Sequence, residues 1–557
     1  MPNNLVSEAQ PSPIQHQHWV EKLADQVLQR TSPPFIVTAG MTTSGPFHMG
    51  TLSEFLYPAS VVRFLEKKGE TKFIFSADIL DAFDAVPANL AEHTTLLTPH
   101  LGKPLCEVPD PLGCCPSFGE HFLNESLSIV EKFGIRPKVR KASDDYRCGA
   151  YDNYAKSFIR EIDSVRKVIA TTSLNDKFPA NWHPLMPQCS NCGKIATTEI
   201  TSSDEEKYSY SCTRKLKYME GCGFSGSHKL SDHKYKLQWR LHWPSWMDLN
   251  GTHIEGGGMD HHTRGGSWDS LLGVFREIFK KEPPIGYKWG FVLFGGKKYS
   301  KSKGIGMGVT ELLRFVPPQA LAYALIRPDL EENRDLSPTG VDLMRLLEDF
   351  QNASVLYAKM FSANGEDIMG AVPADSENTS NSKISSESAS GPAPSSITSP
   401  VSRAERKRAL AWNLASSGKT WKAQFSDLLI YHILYSDWDI VSQKMGSEYK
   451  EDITFLAPYV ENWEKSGMVP SQYTFSFKPI FARSDAAKQF FASLSPSLNA
   501  LDIHNLAFNT AKSLNAKPGE FFVELYETII GQPSGPKLGK LIEAIGAEKV
   551  KAACLQS

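Results

Sequence analysis

A loop at residues 43–51 has the composition of a phosphate-binding turn. It contains Gly45, His48 and Gly50, and it follows a β-branched run at residues 35–38. Backbone N–H groups at a helix N-terminus bind phosphate oxygens, and small residues let a nucleotide approach the backbone. His48 can donate a hydrogen bond to a charged phosphate. The loop therefore favours nucleotide chemistry, with an ordinary Gly-Pro turn as the alternative.

A second loop at residues 298–304 (KYSKSKG) combines ammonium groups with hydroxyl groups. Lys298 and Lys301 are suited to neutralising a leaving pyrophosphate, and the flanking glycines permit the loop to close over a ligand. By itself such a loop is more often a solvated basic segment of the surface. Two phosphate-type loops occur in this order in one α/β sequence. Together they favour nucleotide chemistry over a plain Gly-Pro turn and a solvated basic segment of the surface.

Four of the nine cysteines are grouped in the sequence: Cys189, Cys192, Cys212 and Cys222. The first two form a Cys-x-x-Cys-Gly turn, in which both thiolates can reach one tetrahedral ion. The ten positions from Cys212 to Cys222 are long for a second turn of this kind. We predict a structural zinc site, with a module that has lost its metal as the alternative.

The apolar pattern indicates which elements position these loops. A strand at residues 35–38, a helix at 52–68 and a strand at 72–75 give a β-loop-α-β order. This order predicts an α/β fold with a parallel sheet and a ligand at the carboxyl ends of the strands. Residues 376–402 contain eleven serines and no aromatic residue, which indicates a flexible linker. Helical spacing from residue 403 onward predicts an all-α C-terminal domain.

The composition is that of a globular protein with unevenly distributed charge. Of 557 residues, 41% are hydrophobic and 22% charged, which excludes a mainly disordered, collagen-like or coiled-coil chain. The formal net charge of -2 gives no global indication of nucleic-acid binding. Residues 78–125 nevertheless contain eight acids and one base, and residues 207–240 contain eight bases and two acids. An acidic pocket and a separate basic face are compatible with this distribution.

The sequence also predicts the compartment. Residues 1–19 are polar and lack the apolar region of a signal peptide. No apolar run reaches the length of about 18 residues that a membrane-spanning helix needs. Nine cysteines in a chain of this length are not a disulfide framework. We therefore expect a cytoplasmic protein without a membrane partner.

The two loops resemble the signature motifs of class I aminoacyl-tRNA synthetases. The stretch from His48 to Thr51 (HMGT) is similar to the HIGH motif, and residues 298–302 are similar to the KMSKS motif. Thr51 and Tyr299 depart from the usual residues, whereas His48 and Lys301 are retained. The resemblance implies a Rossmann-like catalytic domain.

Other stretches resemble the class I lysyl-tRNA synthetases, an archaeal-type family, over nearly the whole chain. The matching stretches are residues 109–121 (PDPLGCCPSFGEH), the cysteine segment at 189–226, the segment at 258–269 with GMDH and GGSWD, and the C-terminal stretch at 517–539. This combination is more specific than the two class motifs alone.

The resemblance assigns roles to individual residues. Three residues are expected to be catalytic: His48, Lys298 and Lys301. The ATP site is expected to consist of Ser44, Gly45, His48, Gly50, Thr51, Gly258, Asp260, Ser300, Lys301 and Ser302. The lysine site is expected to consist of Gly40, Thr42, Trp239, His261 and Tyr287, whose aromatic wall suits a four-carbon stem with an ammonium group. Separately from the resemblance, the acidic composition of residues 78–125 offers a counter-charge for that ammonium, and the sequence does not single out one carboxylate.

The resemblance also implies a reaction. L-lysine is activated with ATP to lysyl-adenylate and transferred to the 2′-hydroxyl of the terminal adenosine of tRNA(Lys), with Mg²⁺ as cofactor and a structural Zn²⁺. A glutamyl- or glutaminyl-type class I synthetase, or a synthetase-like RNA-binding protein without activity, is the alternative. We expect a monomer that binds no DNA.

The expected domain organisation has six segments. They are the first half of the catalytic domain with an acceptor-side insertion at 1–185, a zinc-ribbon-like insertion at 186–235, the second half of the catalytic domain at 236–310, a helical connecting region at 311–372, a Ser-rich insertion at 373–403 and an all-α anticodon-binding domain at 404–557.

Overall fold

A computed structural model describes residues 18–174, 178–179, 181–217, 219–298, 307–361, 402–416 and 420–555, with the backbone only at residue 298. The chain forms two compact units. The first consists of Met1–Val309, Ala322–Leu336 and Leu356–Gly418, and the second of Thr310–Leu321, Ser337–Val355 and Lys419–Ser557. Within the described ranges, no helix is both long and apolar enough to cross a membrane.

The described residues form short strands and many helices. The strands are β1 (Phe35–Met41), β2 (Thr71–Ala77), β3 (Lys138–Lys141), β4 (Leu185–Pro187), β5 (Glu199–Ser203), β6 (Lys207–Ser211), β7 (Lys215–Leu216), β8 (Met219–Glu220), β9 (Ser225–Lys229), β10 (Tyr235–Leu237), β11 (Ile254–Gly258), β12 (Ile285–Trp289), β13 (Val292–Phe294), β14 (Lys297–Lys298) and β15 (Arg334–Asp335). The helices are α1 (Trp19–Arg30), α2 (Met49–Leu65), α3 (Thr94–Leu97), α4 (Phe118–Glu131), α5 (Ala142–Arg147), α6 (Asp152–Arg160), α7 (Ile162–Thr172), α8 (Trp239–Asn250), α9 (Ser267–Gly273), α10 (Val309–Leu312), α11 (Pro318–Ile326), α12 (Gly340–Met360), α13 (Arg403–Ser416), α14 (Phe425–Tyr435), α15 (Trp438–Met445), α16 (Lys450–Lys465), α17 (Asp485–Ala492), α18 (Ala500–Ser513), α19 (Pro518–Ile530), α20 (Leu538–Ile545) and α21 (Ala547–Leu555).

The first unit is built on a five-stranded sheet with the strand order β3-β2-β1-β11-β12. All four neighbouring pairs of strands are parallel, and Val37 of β1 lies opposite Phe73 on one side and Ile254 on the other. The order of strands reverses between β1 and β11, which is where such sheets bind ligands at the carboxyl ends of the strands. The predicted α/β class with a Rossmann-like catalytic domain is confirmed.

Helix α2 holds the start of this sheet in place. Phe55 of α2 stacks on Phe75 of β2 with 4.0 Å between the ring centroids, and both rings are fully buried. Burial of a Phe side chain contributes about 1.5–3 kcal/mol to stability. Most side chains of α2 are buried around the whole helix, as expected for a helix enclosed by its domain. The N-terminus of α2 is therefore rigidly placed at the carboxyl end of β1.

A separate module is inserted between β3 and β11. Strand β4 pairs antiparallel with β10, β6 lies between β5 and β9, and β7 pairs with β8. The four grouped cysteines are in this module. Its short antiparallel strands agree with the ribbon-like insertion that the sequence predicts.

The described residues of the second unit form helices. Trp463 of α16 donates from Nε1 to the backbone oxygen of Phe315 at 2.8 Å. Phe350 of α12 stacks on Trp421 with 5.0 Å between the ring centroids. The segments before and after the Ser-rich region therefore pack into one helical body, as the predicted all-α C-terminal region requires.

Helix α13 belongs to the first unit, whereas the predicted boundary at residue 404 assigned it to the C-terminal domain. The guanidinium of Arg63 in α2 donates to the backbone oxygens of Leu414 in α13 and, at 2.6 Å, of Phe133. These hydrogen bonds explain why α13 packs with the catalytic unit. Residues 373–401 of the predicted Ser-rich insertion lie outside the described residues.

Candidate functional site

The first loop connects β1 to α2 at the carboxyl edge of the sheet. His48 is the N-cap of α2, and its Nδ1 accepts a hydrogen bond from the backbone N–H of Thr51 at 3.2 Å. Because Nδ1 is the acceptor, the neutral ring carries its proton on Nε2. The loop is anchored to α4, since Phe47 donates its backbone N–H to Glu125 at 3.2 Å. His48 is thus oriented as a hydrogen-bond donor through Nε2.

A cavity of about 380 Å³, which we call the loop cavity, opens beside this loop. Its lining residues are Met41, Thr42, Ser44, Gly45, Pro46, His48, Thr51, Pro87, Ala88 and Asn89. Four predicted ATP-binding residues are thus brought together. Gly50 leaves room for the imidazole ring of His48, because a Cβ at residue 50 would lie 2.9 Å from that ring.

A second cavity of about 280 Å³, which we call the aromatic cavity, lies beside β1 and β11. Its lining residues are Gly40, Met41, Thr42, Glu54, Asp81, Trp239, Trp243, Glu255, Gly256, Gly257 and His261. Four of the five predicted lysine-binding residues are among them. The fifth, Tyr287, lies on β12 opposite Gly256, where a Cβ would be 2.3 Å from the tyrosine ring.

One wall of the aromatic cavity consists of packed rings. Trp239 stacks on Trp243 with 5.4 Å between centroids, and His261 meets the edge of Trp243 at 5.3 Å. Trp239 is held by a hydrogen bond from Nε1 to the hydroxyl of Ser267 at 3.2 Å. Burial lowers the pKa of His261, so its ring is neutral at pH 7. The wall is therefore aromatic and uncharged.

Three carboxylates also line the aromatic cavity: Glu54, Asp81 and Glu255. The ammonium of Lys236 lies 3.4 Å from Asp81 and 3.0 Å from Asp78. Lys236 is buried, so these two acids of the 78–125 segment are offset by an internal cation. Glu54 and Glu255 lie outside the segment in which the sequence placed the counter-charge.

Glu255 is buried among neutral donors. Its carboxylate accepts hydrogen bonds from Nε1 of Trp243 at 2.6 Å, from Nε1 of Trp246 at 3.2 Å and from the hydroxyl of Thr38. Burial outweighs these bonds and raises the pKa of Glu255 to about 7. Burial, followed by the charge of Glu255, also raises the pKa of Glu54.

The raised pKa of Glu255 predicts a pH dependence of stability. A carboxyl with a folded-state pKa above its ordinary value of 4.5 favours folding while it is protonated. This contribution is complete below about pH 4.5 and is lost as the pH rises through about 7, by at most about 3 kcal/mol. We expect denaturant unfolding between pH 5 and 8 to show a steeper fall in stability for the wild-type protein than for Glu255→Gln. Equal slopes would contradict the raised pKa.

The remaining predicted residues lie at the same edge of the sheet or outside the described residues. Gly258 ends β11, and Asp260 lies in the following turn of 3-10 helix, Met259–His262. Strand β14 leads to the second loop. The side chain of Lys298, together with Ser300, Lys301 and Ser302, lies outside the described residues, so their roles stay predictions.

The four grouped cysteines converge in the inserted module. Their sulfur atoms lie within 4.8 Å of one another, and the Cys189–Cys222 and Cys192–Cys212 pairs are each 3.7 Å apart. A tetrahedral zinc ion with bonds of about 2.3 Å would place its sulfur ligands about 3.8 Å apart. All four are free thiols, so this set fits the predicted zinc.

A second group of metal-ligand type lies in the segment between α3 and α4 and in the first turn of α4, and it was not predicted. It consists of Asp110, Cys114, Cys115 and His121. Nδ1 of His121 lies 3.2 Å from Sγ of Cys114 and 3.3 Å from the carboxylate of Asp110. The other oxygen of Asp110 accepts the backbone N–H groups of Cys114 and Cys115, which holds the two thiols near the histidine. A mixed set of thiols, imidazole and carboxylate also suits zinc.

Comparisons with known proteins identify the family. The model of the family described as tRNA synthetases class I (K) matches residues 17–373. The chain belongs to this family. Similar proteins include a lysine–tRNA ligase of Archaeoglobus fulgidus, 28% identical over 96% of this chain and 98% of the relative. A lysine–tRNA ligase of Methanosarcina barkeri strain Fusaro is 33% identical over 60% of each chain. Another lysine–tRNA ligase of Methanosarcina barkeri is 28% identical over 95% of this chain and 96% of the relative.

In this class I (K) tRNA synthetase, sequence reasoning missed two groups of residues. In the sequence, Glu54 is a single polar residue within the helical pattern of α2. Only the fold brings it to the same cavity as Glu255 of β11. The second cysteine group did carry a signal, since an Asp, two adjacent cysteines and a His fall within residues 110–121.

Proposed function

We propose that the chain is a lysine–tRNA ligase that forms lysyl-adenylate from L-lysine and ATP and then lysyl-tRNA(Lys). One observation carries the proposal: an acidic cavity with an aromatic wall adjoins the His48 loop at the carboxyl edge of the parallel sheet. Thr42 lines both cavities, so an amino acid in one and a nucleotide in the other would meet. Relatives named lysine–tRNA ligase that align over nearly the whole chain support the proposal.

The aromatic cavity holds the amino acid. Trp239 and Trp243 cover the four-carbon stem, and the ring faces attract its terminal ammonium. Gly40 and Thr42 lie where the chain leaves β1, next to the loop cavity, and receive the α-amino and carboxylate end. Tyr287 packs behind Gly256 and sets the depth of the cavity.

The loop cavity holds ATP for the first step. The lysine carboxylate attacks the α-phosphorus in line, a P–O bond to the leaving group breaks, and pyrophosphate departs. Such a step needs positioning and neutralisation of charge rather than a covalent catalyst. His48 donates from Nε2 to a phosphate oxygen, while Lys298, Ser300, Lys301 and Ser302 receive the pyrophosphate. Asp260 and Gly258 bind the ribose, and Mg²⁺ supplies further neutralisation of the phosphates.

The second step transfers the lysyl group to tRNA. The 2′-hydroxyl of the terminal adenosine attacks the lysyl carbonyl, loses its proton and displaces AMP. The basic stretch at residues 207–240 contacts the acceptor stem, and the helical second unit reads the anticodon. The enzyme acts in the cytoplasm as a monomer.

Aminoacylation of total tRNA with each labelled amino acid and ATP tests the proposed function. We expect charging with lysine and with no other amino acid. tRNA must be present in every reaction, because members of this family can require it for activation. Charging with glutamate or glutamine would replace the proposal with the related class I specificity. No charging at all would leave a synthetase-like RNA-binding protein.

The two cysteine groups predict two zinc ions per chain. Replacing Cys192 with serine removes one of the four thiolates in the inserted module, and replacing Cys115 with serine removes a ligand of the second group. Structural zinc sites contribute directly to folding, so each variant should lose about one zinc and melt at a lower temperature. Metal content by mass spectrometry and thermal unfolding measure both effects.

Cys148→Ser is the matched control for these variants. Its thiol is exposed and donates to the backbone oxygen of Asp145, outside both groups. The control should keep the zinc content and melting temperature of the wild-type protein. An unchanged zinc content in Cys192→Ser would contradict the site in the module, and in Cys115→Ser it would contradict the second site.

A further inference from the structure

A cavity of about 620 Å³ lies beside α7 and has no part in the proposed reaction. We call it the α7 cavity, and its lining includes Phe178, Trp182, Gln238, Trp239 and Arg240. It shares Trp239 with the aromatic cavity, and it shares no lining residue with the loop cavity. The α7 cavity is therefore distinct from the expected ATP site and adjoins the expected amino-acid site.

The α7 cavity offers aromatic and apolar surface to a ligand. The rings of Phe178 and Trp182 are in contact, with 5.3 Å between their centroids and 48° between their planes. Both side chains are only partly buried, and Leu174, which also lines the cavity, is 53% exposed. Nucleic-acid bases stack on accessible aromatic rings, because every base has a π-face. This surface therefore suits a flat, aromatic ligand.

The charge of the α7 cavity is positive. Arg240 is the one charged residue among the described residues that line it. Its guanidinium donates to neutral acceptors, which are the backbone oxygens of Gly265 and Gly266 and the hydroxyl of Ser270. It forms no ion pair with a described acid, although Asp269 attracts it from a longer distance. A cavity with one cation and no acid in its lining favours an anionic ligand.

Gln238 provides a group that can recognise a base. This residue is the N-cap of α8, and its backbone N–H donates to the oxygen of Pro184 at 2.8 Å. Its side-chain amide makes no hydrogen bond with a described residue, so both its donor and its acceptor are available to a ligand. A glutamine amide forms a pair of hydrogen bonds with N6 and N7 of adenine. The fixed backbone and the available amide together suit an adenine base.

We propose that the α7 cavity binds an adenine nucleotide at a place separate from the ATP site. The base stacks on Phe178 and Trp182, and the amide of Gln238 pairs with its edge. Arg240 attracts the phosphate. The volume lies within the range of about 300–1,000 Å³ that is usual for small-molecule sites. Two sources have this chemistry, a free nucleotide and the unpaired 3′ end of a tRNA, and only the second rests on the proposed function.

Calorimetry with AMP tests the free nucleotide as the source. A free-nucleotide site gives two bound AMP molecules per wild-type chain, one in the loop cavity and one in the α7 cavity. Gln238→Leu keeps the approximate volume of the side chain and removes its hydrogen bonds, so it should weaken the second AMP by about 10-fold. Gln29→Leu is the matched control, since Gln29 is exposed on α1 outside the three cavities and should keep wild-type binding.

A tRNA(Lys) transcript, intact or shortened by its last three nucleotides, tests the 3′ end as the source. In that case AMP binds once per chain, and Gln238→Leu binds the intact transcript about 10-fold more weakly than the wild-type protein does. The shortened transcript should bind equally to both proteins. Trp182→Ala should have the same effect as Gln238→Leu, and Trp182→Phe should restore binding because it keeps a ring for stacking.

Binding is measured without catalysis, so these outcomes are independent of the charging assay. A protein that charged no amino acid would remove the proposed function and leave the nucleotide site to be decided by the two binding experiments. Wild-type binding of AMP and of both transcripts by Gln238→Leu and Trp182→Ala, at wild-type melting temperatures, would overturn the inference even in a protein that charges lysine.

Discussion

Replacing His48 with alanine lowers the rate of lysyl-adenylate formation by about 100- to 1,000-fold, the usual effect of removing one donor that stabilises charge in a transition state. The bond from the backbone of Thr51 to Nδ1 leaves the proton on Nε2, and the ring lines the loop cavity. We expect the KM for lysine to change little, because His48 does not line the aromatic cavity. Pyrophosphate exchange in the presence of tRNA measures the effect.

His93→Ala is the control for this experiment. His93 is a histidine outside both cavities, and its ring pairs only weakly with the neighbouring Glu92 at 3.7 Å. The control should retain wild-type exchange. A His48→Ala protein with the wild-type exchange rate would reject the assigned role, whereas a loss of lysine affinity at an unchanged rate would move His48 to the amino-acid site.

Replacing Gly40 with alanine is expected to damage both stability and lysine binding. The added Cβ would lie 2.6 Å from the ring of Trp246 and 2.7 Å from the backbone oxygen of Ser76. Overpacking of this kind costs about 1–3 kcal/mol. Because Trp246 also donates to Glu255, displacement of its ring disturbs the carboxylate inside the aromatic cavity. Denaturant unfolding and the KM for lysine measure the two effects.

Gly519→Ala separates this effect from a general cost of adding a methyl group. Nothing lies within 4 Å of the position its Cβ would take, so its stability should change by less than about 0.5 kcal/mol. If Gly40→Ala were as stable as the control and kept its KM for lysine, the tight packing of β1 against Trp246 would be contradicted.

The parallel sheet and the first loop could be predicted from the sequence because their signals are local. A β-branched run, a Gly-rich turn and a helical pattern follow one another within residues 35–68, and the structure has β1, the loop and α2 there. The cysteine site was also predictable from spacing, since Cys189 and Cys192 are neighbours on one turn. In each case the residues that act together are close in the chain or carry a distinctive motif.

The chemistry of the aromatic cavity could not be predicted in the same way. Glu54 and Glu255 are separated by about 200 positions and become neighbours only because β11 pairs with β1. In the sequence, the acids of residues 78–125 were the candidates for an acidic pocket. In the structure, the ammonium of Lys236, on a strand of the inserted module, offsets the negative charge of Asp78 and Asp81. Which carboxylates keep an unbalanced charge depends on tertiary pairing, and composition does not record it.

Helix α2 carries His48 at its N-cap and Glu54 six residues later. At a rise of about 1.5 Å per residue, the backbone positions of these two residues are about 9 Å apart along the helix axis. The insertion or deletion of a single residue between them would turn Glu54 by about 100° around the helix axis. The helix therefore fixes the spacing between the loop cavity, which His48 lines, and the aromatic cavity, which Glu54 lines.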